Sequence, residues 1–539
     1  MKTKFNGILT LLLAFVVQIS FAQEKTISGI VTDGSGPLPG VTVLVKGTDK
    51  GTQTNFDGVY QIVVKTGDVL TFSYVGMKTI SLTVGSGDTL NAVMQEDANV
   101  LDEVIVVAYG TAKKGDFTGA ATQINSDDLE ARTLSNVSTA LEGAAAGVSV
   151  SMASGQPGEG QDIRIRGFGS FSAGSSPLYV VDGIPFNGYI NSINPSDIES
   201  LTVLKDASST ALYGNKAANG VVLITTKQGK NKAGQFSLNV SSSIVDRSIP
   251  EYDRINADQY YPIMWEALRN SDAIPGIDSA VDVTAANEMA SSKIFDQLLN
   301  NPYNVPNNQI VLTDGTLNPS ASLLYPDDLD WVDAVTRVGY RQNYDMSFQG
   351  GTEKSDFYVS LGYLNEEGYL LSSDFERISG RMNVNYQANK WLKTGLNIGA
   401  TTSKGNQSQA TSAGSNNFVN PIRFSRSMGP IYNIYEHDAT GAYVLDENGE
   451  KIFDLGASRA TGASPGRHIA AELAWNEDLD EITSLSGKSY IDITLMEGLV
   501  FTTNVSLDTR NFYNIDFRNK FVGDGAPAGA ASRTSTKRT

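Results

Sequence analysis

The feature that most constrains this chain is an alternation of apolar and polar residues that begins at Gln235. Phe236, Leu238 and Val240 are separated there by Ser237 and Asn239. Successive side chains of a β-strand point to opposite faces, so this pattern predicts a strand with one apolar and one polar face. The pattern recurs in 343–349, 356–363, 377–386, 392–398, 491–495 and 499–507.

Soluble sandwiches and membrane barrels both contain such strands, and the lengths of the predicted connections distinguish the two. Every second connection is short, and the others are medium or long: 248–341, 351–354, 365–376, 387–390, 404–484 and 496–498. Outer-membrane barrels have short turns on one side and longer loops on the other, whereas sandwich strands alternate without this asymmetry. We therefore predict that 231–539 forms part of a transmembrane antiparallel β-barrel.

The predicted barrel is incomplete in this sequence. About eight strands are recognisable from the alternation, whereas plugged transporter barrels use about 22. The sequence is thus expected to be a fragment, a truncated gene product or half of a split assembly. The fold class predicted for the chain is multi-domain and mainly β, with a truncated barrel at its C-terminal end.

Residues 1–22 have the pattern of a secretory signal peptide. Lys2 and Lys4 precede an apolar run over 8–17, and 20–22 (Ser-Phe-Ala) supplies small residues at a cleavage site. A membrane anchor is the alternative, but the run is shorter than the roughly 20 residues that a spanning helix needs. We predict cleavage before Gln23.

Charge and cysteine content exclude several classes of function. The formal net charge is −18 and the chain has no cysteine. Nucleic-acid binding requires clustered Lys and Arg, so it is not expected. Disulfides, thiolate metal sites, a cysteine nucleophile and lipid attachment at an N-terminal cysteine are also excluded.

Residues 23–98 are predicted to form a small β-sandwich. Apolar residues alternate in 41–45, 60–64 and 69–74, and turn dipeptides such as Asp57-Gly58 separate the runs. This spacing is typical of a sandwich of about seven short strands. The words GIVTD, PLPGV, VKGT and DGVY in this segment resemble the carboxypeptidase-regulatory-like domain, without zinc ligands or catalytic residues.

The linker 99–114 contains a strand-forming segment, 101–109, with the sequence LDEVIVVAY. Its β-branched run has strong strand propensity. Two interpretations remain open on these residues alone. The segment is either the last strand of the sandwich or a strand held ready to pair with the sheet edge of a partner.

Residues 115–230 have the pattern of a mixed α+β domain. Helices are predicted near 126–130, 138–146, 195–199 and 207–213, and strands near 163–167, 178–183, 201–205 and 220–226. The domain contains, in this order, the words RIRG, PLYVVDG, INPSDIE, LKDA, ALYG and GVV. Together these words resemble the plug domain of SusC/RagA-type TonB-dependent outer-membrane transporters.

The resemblance covers essentially the whole chain and is most specific over 24–230. In that family the regulatory-like domain and a TonB box precede the plug, in the order found here. The resemblance therefore implies that the strand in the linker is a TonB box made of Asp102, Glu103, Val104, Ile105, Val106 and Val107.

The resemblance also implies a function. It predicts active import of large nutrients, glycans or peptides, across the outer membrane of a Gram-negative bacterium. TonB with ExbB and ExbD would supply energy, a SusD-like surface lipoprotein would help to capture the solute, and the N-terminal domains would lie in the periplasm. A surface adhesin or receptor without transport, and a siderophore or cobalamin receptor, are the alternatives.

The sequence gives no support for catalysis, a cofactor or a metal site. The segment 462–466 (GASPG) matches a nucleophile-elbow pattern with His468 nearby, but no apolar strand precedes it. His437 and His468 are the only histidines, too few for a convincing metal site. The segment 446–449 (DENG) lacks calcium-loop spacing and is predicted to be a hairpin turn.

Overall fold

The structure is a computed structural model. It describes residues 25–33, 36–48, 50–74, 77–95, 104–107, 110–113, 121–132, 134–151, 155–170, 174–186, 188, 190–230, 233–271, 282–407 and 420–539. The predicted signal peptide 1–22 lies outside these ranges. Two compact units are present, Met1–Ile105 with Thr111–Thr118, and Val106–Gly110 with Gly119–Thr539. No helix in the described part of the chain is long and apolar enough to cross a membrane.

The first unit contains a β-domain of seven short strands. They are β1 (Lys25–Thr32), β2 (Thr42–Val45), β3 (Gly51–Gln53), β4 (Val59–Val64), β5 (Val69–Ser73), β6 (Ile80–Thr83) and β7 (Ala92–Val93). The sheets β4-β1-β7 and β3-β2-β5-β6 enclose one apolar core. Tyr60 and Phe72, from different sheets, meet there edge to face with their ring centroids 5.4 Å apart. The predicted β-domain is confirmed.

Two short strands follow, β8 (Val104–Val107) and β9 (Gly110–Lys113), and they form a two-stranded sheet of their own.

The second unit begins with an α+β domain that has the plug-like sequence words. Its strands are β10 (Ala121–Asn125), β11 (Val148–Ser151), β12 (Asp162–Ile165), β13 (Leu178–Val181), β14 (Ile184–Pro185), β15 (Ile198–Leu204) and β16 (Val221–Thr226). A mixed sheet has the order β10-β15-β16-β13-β14, and β11 pairs with β12. The helices are α1 (Ser126–Glu130), α2 (Val137–Ala140) and α3 (Ala207–Thr210).

Helix α2 is much shorter than the helix predicted over 138–146. It begins at the N-cap Asn136, whose side chain accepts the backbone N–H of Thr139. Gly143 and Gly147 have φ of +68° and +79°, which lie in the left-handed region and end helical structure. The small residues of this stretch therefore form turns.

The alternating segments form seven neighbouring strands of one antiparallel sheet, as predicted, and an eighth strand without apolar alternation follows them in sequence order. These barrel strands are β17 (Gln235–Val245), β18 (Gly339–Gly351), β19 (Ser355–Glu367), β20 (Asp374–Asn389), β21 (Leu392–Asn406), β22 (Glu477–Met496), β23 (Leu499–Arg518) and β24 (Ser532–Arg538). The apolar residues of one face are exposed, among them Leu238, Leu361, Ile378 and Val505. Short connections at 352–354, 390–391 and 497–498 alternate with longer ones.

Several predicted boundaries differ from the structure, and two examples show why. Strand β22 begins at Glu477 rather than near 484, and the connection predicted over 365–376 is only 368–373. Both differences have one cause: the strands extend beyond the apolar residues, because hydrogen bonding between main chains continues where side chains on both faces are polar.

The two long connections fold together into what we call the loop module, residues 246–271, 282–338 and 420–476. Its helices are α4 (Ala257–Arg269), α5 (Val283–Leu298), α6 (Pro421–Ser427) and α7 (Ile469–Trp475). Its core includes Tyr261, Trp265, Ile294, Trp331, Phe424, Ile431 and Ile469, all at most 2% exposed. The alternation pattern did not foresee this module, because its apolar residues follow no strand period.

Candidate functional site

The predicted TonB box lies only partly within the described residues. Val104, Ile105, Val106 and Val107 form strand β8, whereas Asp102 and Glu103 fall outside the described ranges. The partner of β8 is β9, and within the described part of the chain β8 belongs to neither sheet of the N-terminal domain. An isolated two-stranded sheet is only marginally stable in water.

The contact between the plug and the barrel strands is built around one turn, residues 194–197, which we call the plug turn. A 3-10 helix, Pro195–Asp197, forms because Asn194 accepts the N–H of Ser196 and Pro195 occupies the first helical position. The side chains of Asn194 and Asp197 are directed toward the barrel strands, where they are 5% and 3% exposed.

Asp345 of β18 holds the first half of the plug turn. Its Oδ1 accepts a hydrogen bond from Asn194 Nδ2 at 2.7 Å, and its Oδ2 accepts one from Ser196 Oγ at 2.7 Å. Asn343 Nδ2, on the same strand, donates to the same Oδ2. The carboxylate is therefore satisfied although Asp345 is 8% exposed.

Asp197 completes the plug turn and meets three side chains of the neighbouring strands. Its Oδ1 accepts from Tyr358 OH at 3.0 Å and from Ser360 Oγ, both on β19. Its Oδ2 lies 3.6 Å from Nε of Arg381 on β20, and both side chains of this ion pair are buried. A buried pair of this kind leaves an uncompensated charge when one partner is removed.

Two further arginines of the barrel strands hold main-chain carbonyls of the plug. Arg377 Nη1 donates to the carbonyl oxygens of Ser135 and Asn191 at 3.1 and 3.2 Å. Arg341 Nη2 donates to the carbonyl of Leu134 at 2.7 Å, and its Nε lies 3.4 Å from Glu366 Oε2.

A glycine allows the plug to come this close. A Cβ at position 362 would lie 2.3 Å from Asn194 Nδ2 and 2.8 Å from Asp345 Oδ1. Farther along the sheet, Asn383 Nδ2 donates to Thr226 Oγ1 at 3.0 Å and to the carbonyl of Lys227 at 2.7 Å. These side-chain contacts are polar, and two cavities beside them have volumes of only 20 and 40 Å³.

The sequence analysis identified the plug turn as part of the plug-like motif INPSDIE but did not predict its contacts. A signal was present, because Arg377, Arg381 and Asn383 lie on the polar side of the alternation. Arginines on the inner face of a barrel strand need acceptors, and the plug is the structure that an enclosed lumen contains. Which carbonyl or carboxylate each arginine meets depends on the docked plug.

The segments set aside as catalytic or metal sites have structural roles. Ser464 has φ of 52° and follows a 3-10 helix, not a strand. The ring of His468 caps α7, with Nδ1 accepting from Ala471 N and Nε2 donating to the Ile434 carbonyl. Burial lowers the pKa of His468 to about 3, so the ring is neutral.

The segment 446–449 also has a structural role. Residues 446–449 form a turn in which Asp446 Oδ1 accepts from the N–H groups of Asn448 and Glu450. The described residues contain no group of three or more His, Asp or Glu side chains placed to hold a metal ion.

Comparison with known proteins gives matches over most of the chain. Residues 27–106 match the CarboxypepD_reg-like domain, and 113–221 match the TonB-dependent Receptor Plug Domain. TonB-dependent receptor P26 of Formosa agariphila is 32% identical over 513 residues, which are 94% of this chain and 44% of that protein. TonB-dependent receptor SusC of Bacteroides thetaiotaomicron is 35% identical over 392 residues, 70% of this chain and 34% of that protein.

A solved structure is similar to this chain in fold. The RagAB peptide importer in its closed-closed state matches with a TM-score of 0.55 and 27% identity, over 75% of this chain and 42% of that one. The present chain therefore spans less than half the length of each of these proteins.

Proposed function

Because the chain belongs to the SusC/RagA type of TonB-dependent receptors, we propose that it serves TonB-dependent import of large nutrients across the outer membrane. This family consists of transporters and not of enzymes. The solute we propose is a glycan or a peptide. A peptide is favoured by likeness to the RagAB importer, and both proposals rest on likeness to relatives longer than this chain.

The observation that carries the proposal is the polar docking of the plug on the barrel strands. The plug turn is held by Asp345 and Arg381 through hydrogen bonds and an ion pair, not by an apolar core. A hydrogen bond to protein can be exchanged for one to water, so even a bond to a charged group has a net worth of only about 1.5–3 kcal/mol. A plug held in this way closes a wide lumen and can still be shifted by an external pull.

The energy source and the partner follow from the same proposal. TonB, with ExbB and ExbD, would pair with the segment Asp102 to Val107, whose affinity would come from main-chain hydrogen bonds to an added strand. A SusD-like surface lipoprotein would capture the solute, which the structures of the two-component RagAB importer support.

We place the barrel strands in outer-membrane lipid and the N-terminal domain in the periplasm. The short turns at 352–354, 390–391 and 497–498 would face the periplasm, because outer-membrane barrels have their short connections there. The loop module, built from the two longest connections, would then face the outside of the cell.

The decisive experiment is Ile105→Pro in the full-length protein. Proline removes a main-chain donor and fixes φ, so it prevents an added strand from forming. We expect uptake of the solute to be lost while solute binding and protein abundance stay at the level of the unchanged protein.

Val106→Ile is the matched control, since main-chain pairing tolerates a conservative side-chain change, and its uptake should be nearly unchanged. If 101–109 instead stabilises the N-terminal domain, Ile105→Pro will lower the protein level. Normal uptake by the Ile105→Pro protein would refute the TonB-box assignment.

A further inference from the structure

The loop module contains a cavity that the contact between plug and barrel strands does not involve. It lies between α4, the end of α5 and the segments 426–430 and 460–463, and its volume is about 470 Å³. Pockets that bind small molecules have volumes of about 300–1,000 Å³. The two cavities beside the plug, at 20 and 40 Å³, have room for little more than water.

The floor of this cavity is apolar and firmly held. Leu298, Met428 and Tyr432 line it, and each is at most 4% exposed. The Tyr432 hydroxyl donates to the carbonyl of Leu298 at 2.8 Å, which fixes the ring against the end of α5. Met264 and Tyr260 of α4 supply the opposite wall. Such a surface favours an aliphatic or aromatic group over the hydroxyls of a sugar.

Two arginines, Arg254 and Arg426, supply the charge of the cavity, and no acidic residue lines it. Arg254 Nη2 donates to the carbonyl of Met428 at 2.9 Å, and no carboxylate of the described residues lies within ion-pair distance of it. Arg426 Nε lies 2.7 Å from Glu251 Oε1. Glu251 also pairs with Arg247, so one carboxylate serves two arginines and the cavity keeps an excess of positive charge.

We propose that this cavity binds a carboxylate-bearing solute of the size of an amino acid or short peptide. The apolar side chain of the solute lies on Leu298, Met428 and Tyr432, and its carboxylate is directed to Arg254 and Arg426. Guanidinium groups bind carboxylates through charge-assisted, often bidentate hydrogen bonds. The location of this binding site outside the cell rests on the proposed function, whereas the binding itself does not.

The test is titration calorimetry on the full-length protein in detergent with N-acetyl-alanyl-leucine as the probe. Its C-terminal amide is the matched control ligand, and a disaccharide of glucuronic acid tests the carboxylate without an apolar group. We expect the free acid to bind at least about tenfold more tightly than either of the others. Equal binding of acid and amide, tighter binding of the uronate, or no binding of the acid would overturn the proposal.

Variants of the cavity locate the binding. Arg254→Gln and Arg426→Gln should each weaken binding of the free acid about tenfold. Arg423→Gln is the matched control, because Arg423 lies on helix α6 with Arg426, is exposed and does not line the cavity. Unchanged binding in both cavity variants, or an equal loss in the control, would refute the assignment.

A substitution that fills the cavity tests the binding site independently if an arginine variant is unstable. A Cβ at Gly462 would meet no atom within 4 Å, so Gly462→Leu should fold and occupy the cavity. We expect it to abolish binding without lowering the melting temperature. Ile105→Pro protein should still bind the probe, so loss of transport and loss of this site are separate outcomes.

Discussion

The plug–barrel contact and the loop module lie in the same compact unit, but they are built from opposite kinds of residue. Asp197, Arg381 and Asn383 are buried at the first, where Asp197 forms an ion pair with Arg381 and Asn383 donates a hydrogen bond to the carbonyl of Lys227. Trp331 and Phe424 are buried in the second, with ring centroids 5.6 Å apart. Both regions contain buried side chains, so burial alone does not show which of them can come apart.

The difference lies in what water can replace. Separating the plug from the barrel strands exposes groups that water hydrates well, so each lost hydrogen bond costs little in net free energy. Separating the two connections of the loop module exposes apolar area to water, which costs about 25 cal/mol of free energy per Å². The plug is therefore suited to movement, and the loop module is suited to keeping one shape.

The loop module also has a buried polar centre, and this centre joins its two long connections. Asp328, from the first connection, accepts at Oδ2 from the N–H groups of Ile434 and Tyr435 and pairs with His437 Nε2 at 2.8 Å. Burial raises the pKa of Asp328 above its usual range. Trp331 Nε1 likewise donates across to the Tyr432 carbonyl. These hydrogen bonds fix how the two connections pair with each other, and apolar burial stabilises the core around them.

The largest expected effect comes from Trp331→Ala. Trp331 is 1% exposed, and its truncation should cost about 3–5 kcal/mol of unfolding free energy by leaving a cavity in the core. Hydrogen exchange by mass spectrometry should show faster exchange throughout 282–338 and unchanged exchange in the plug. Trp391→Ala, at a half-exposed tryptophan in a short turn, is the control. Equal exchange in both variants would contradict the stabilising role of the core.

A smaller effect, confined to the other region, is expected for Gly362→Ala. The new methyl group overlaps Asn194 Nδ2, so Asn194 must give up its hydrogen bond to Asp345. Overpacking of this kind costs about 1–3 kcal/mol. Protease should then cleave the plug sooner, while the melting of the loop module stays the same.

Gly487→Ala on β22 is the control for this change, since its Cβ meets no atom within 4 Å. Faster proteolysis of both glycine variants would mean that the strands, and not the plug contact, had been disturbed.

The smallest effect concerns pH and acts only on the loop module. Burial raises the pKa of Glu472 to about 7. Its contribution to stability is therefore present at a pH below the usual pKa of a glutamate and is lost as the pH rises through 7. Burial lowers the pKa of His468 to about 3. Its contribution to stability is therefore present at a pH above the usual pKa of a histidine and is lost as the pH falls toward 3. Between pH 5 and 7 the two groups therefore oppose each other.

Removing one group should reveal the other. On going from pH 7 to 5, Glu472→Gln should lose about 1–2 kcal/mol relative to the unchanged protein. His468→Asn, which keeps a cap for α7, should gain a similar amount over the same range. Thermal unfolding at both pH values measures the two differences, and parallel pH curves for all three proteins would refute the opposition.

Much of this architecture follows from local patterns in the sequence. The period of two in 235–240 and its repeats predicted seven of the eight barrel strands, and dipeptides such as Asp57-Gly58 marked the turns of the N-terminal domain. Both predictions succeeded because side-chain direction in a strand and left-handed turn geometry depend on neighbouring residues alone. The prediction of a long helix over 138–146 was wrong, because Gly143 and Gly147 adopt the left-handed conformation of turns and helix propensity there is too weak to prevent this.

The sequence by itself determined which residues form strands, which face of each strand is apolar and to which family the chain belongs. Tertiary structure decided the rest: that Asp197 meets Arg381 across 184 positions, that Gly362 admits the plug turn, and that two long connections share one core around Trp331. The physical reason is that contacts between residues far apart in the chain leave no periodic signal. They form only when the whole sheet brings the two segments to the same place.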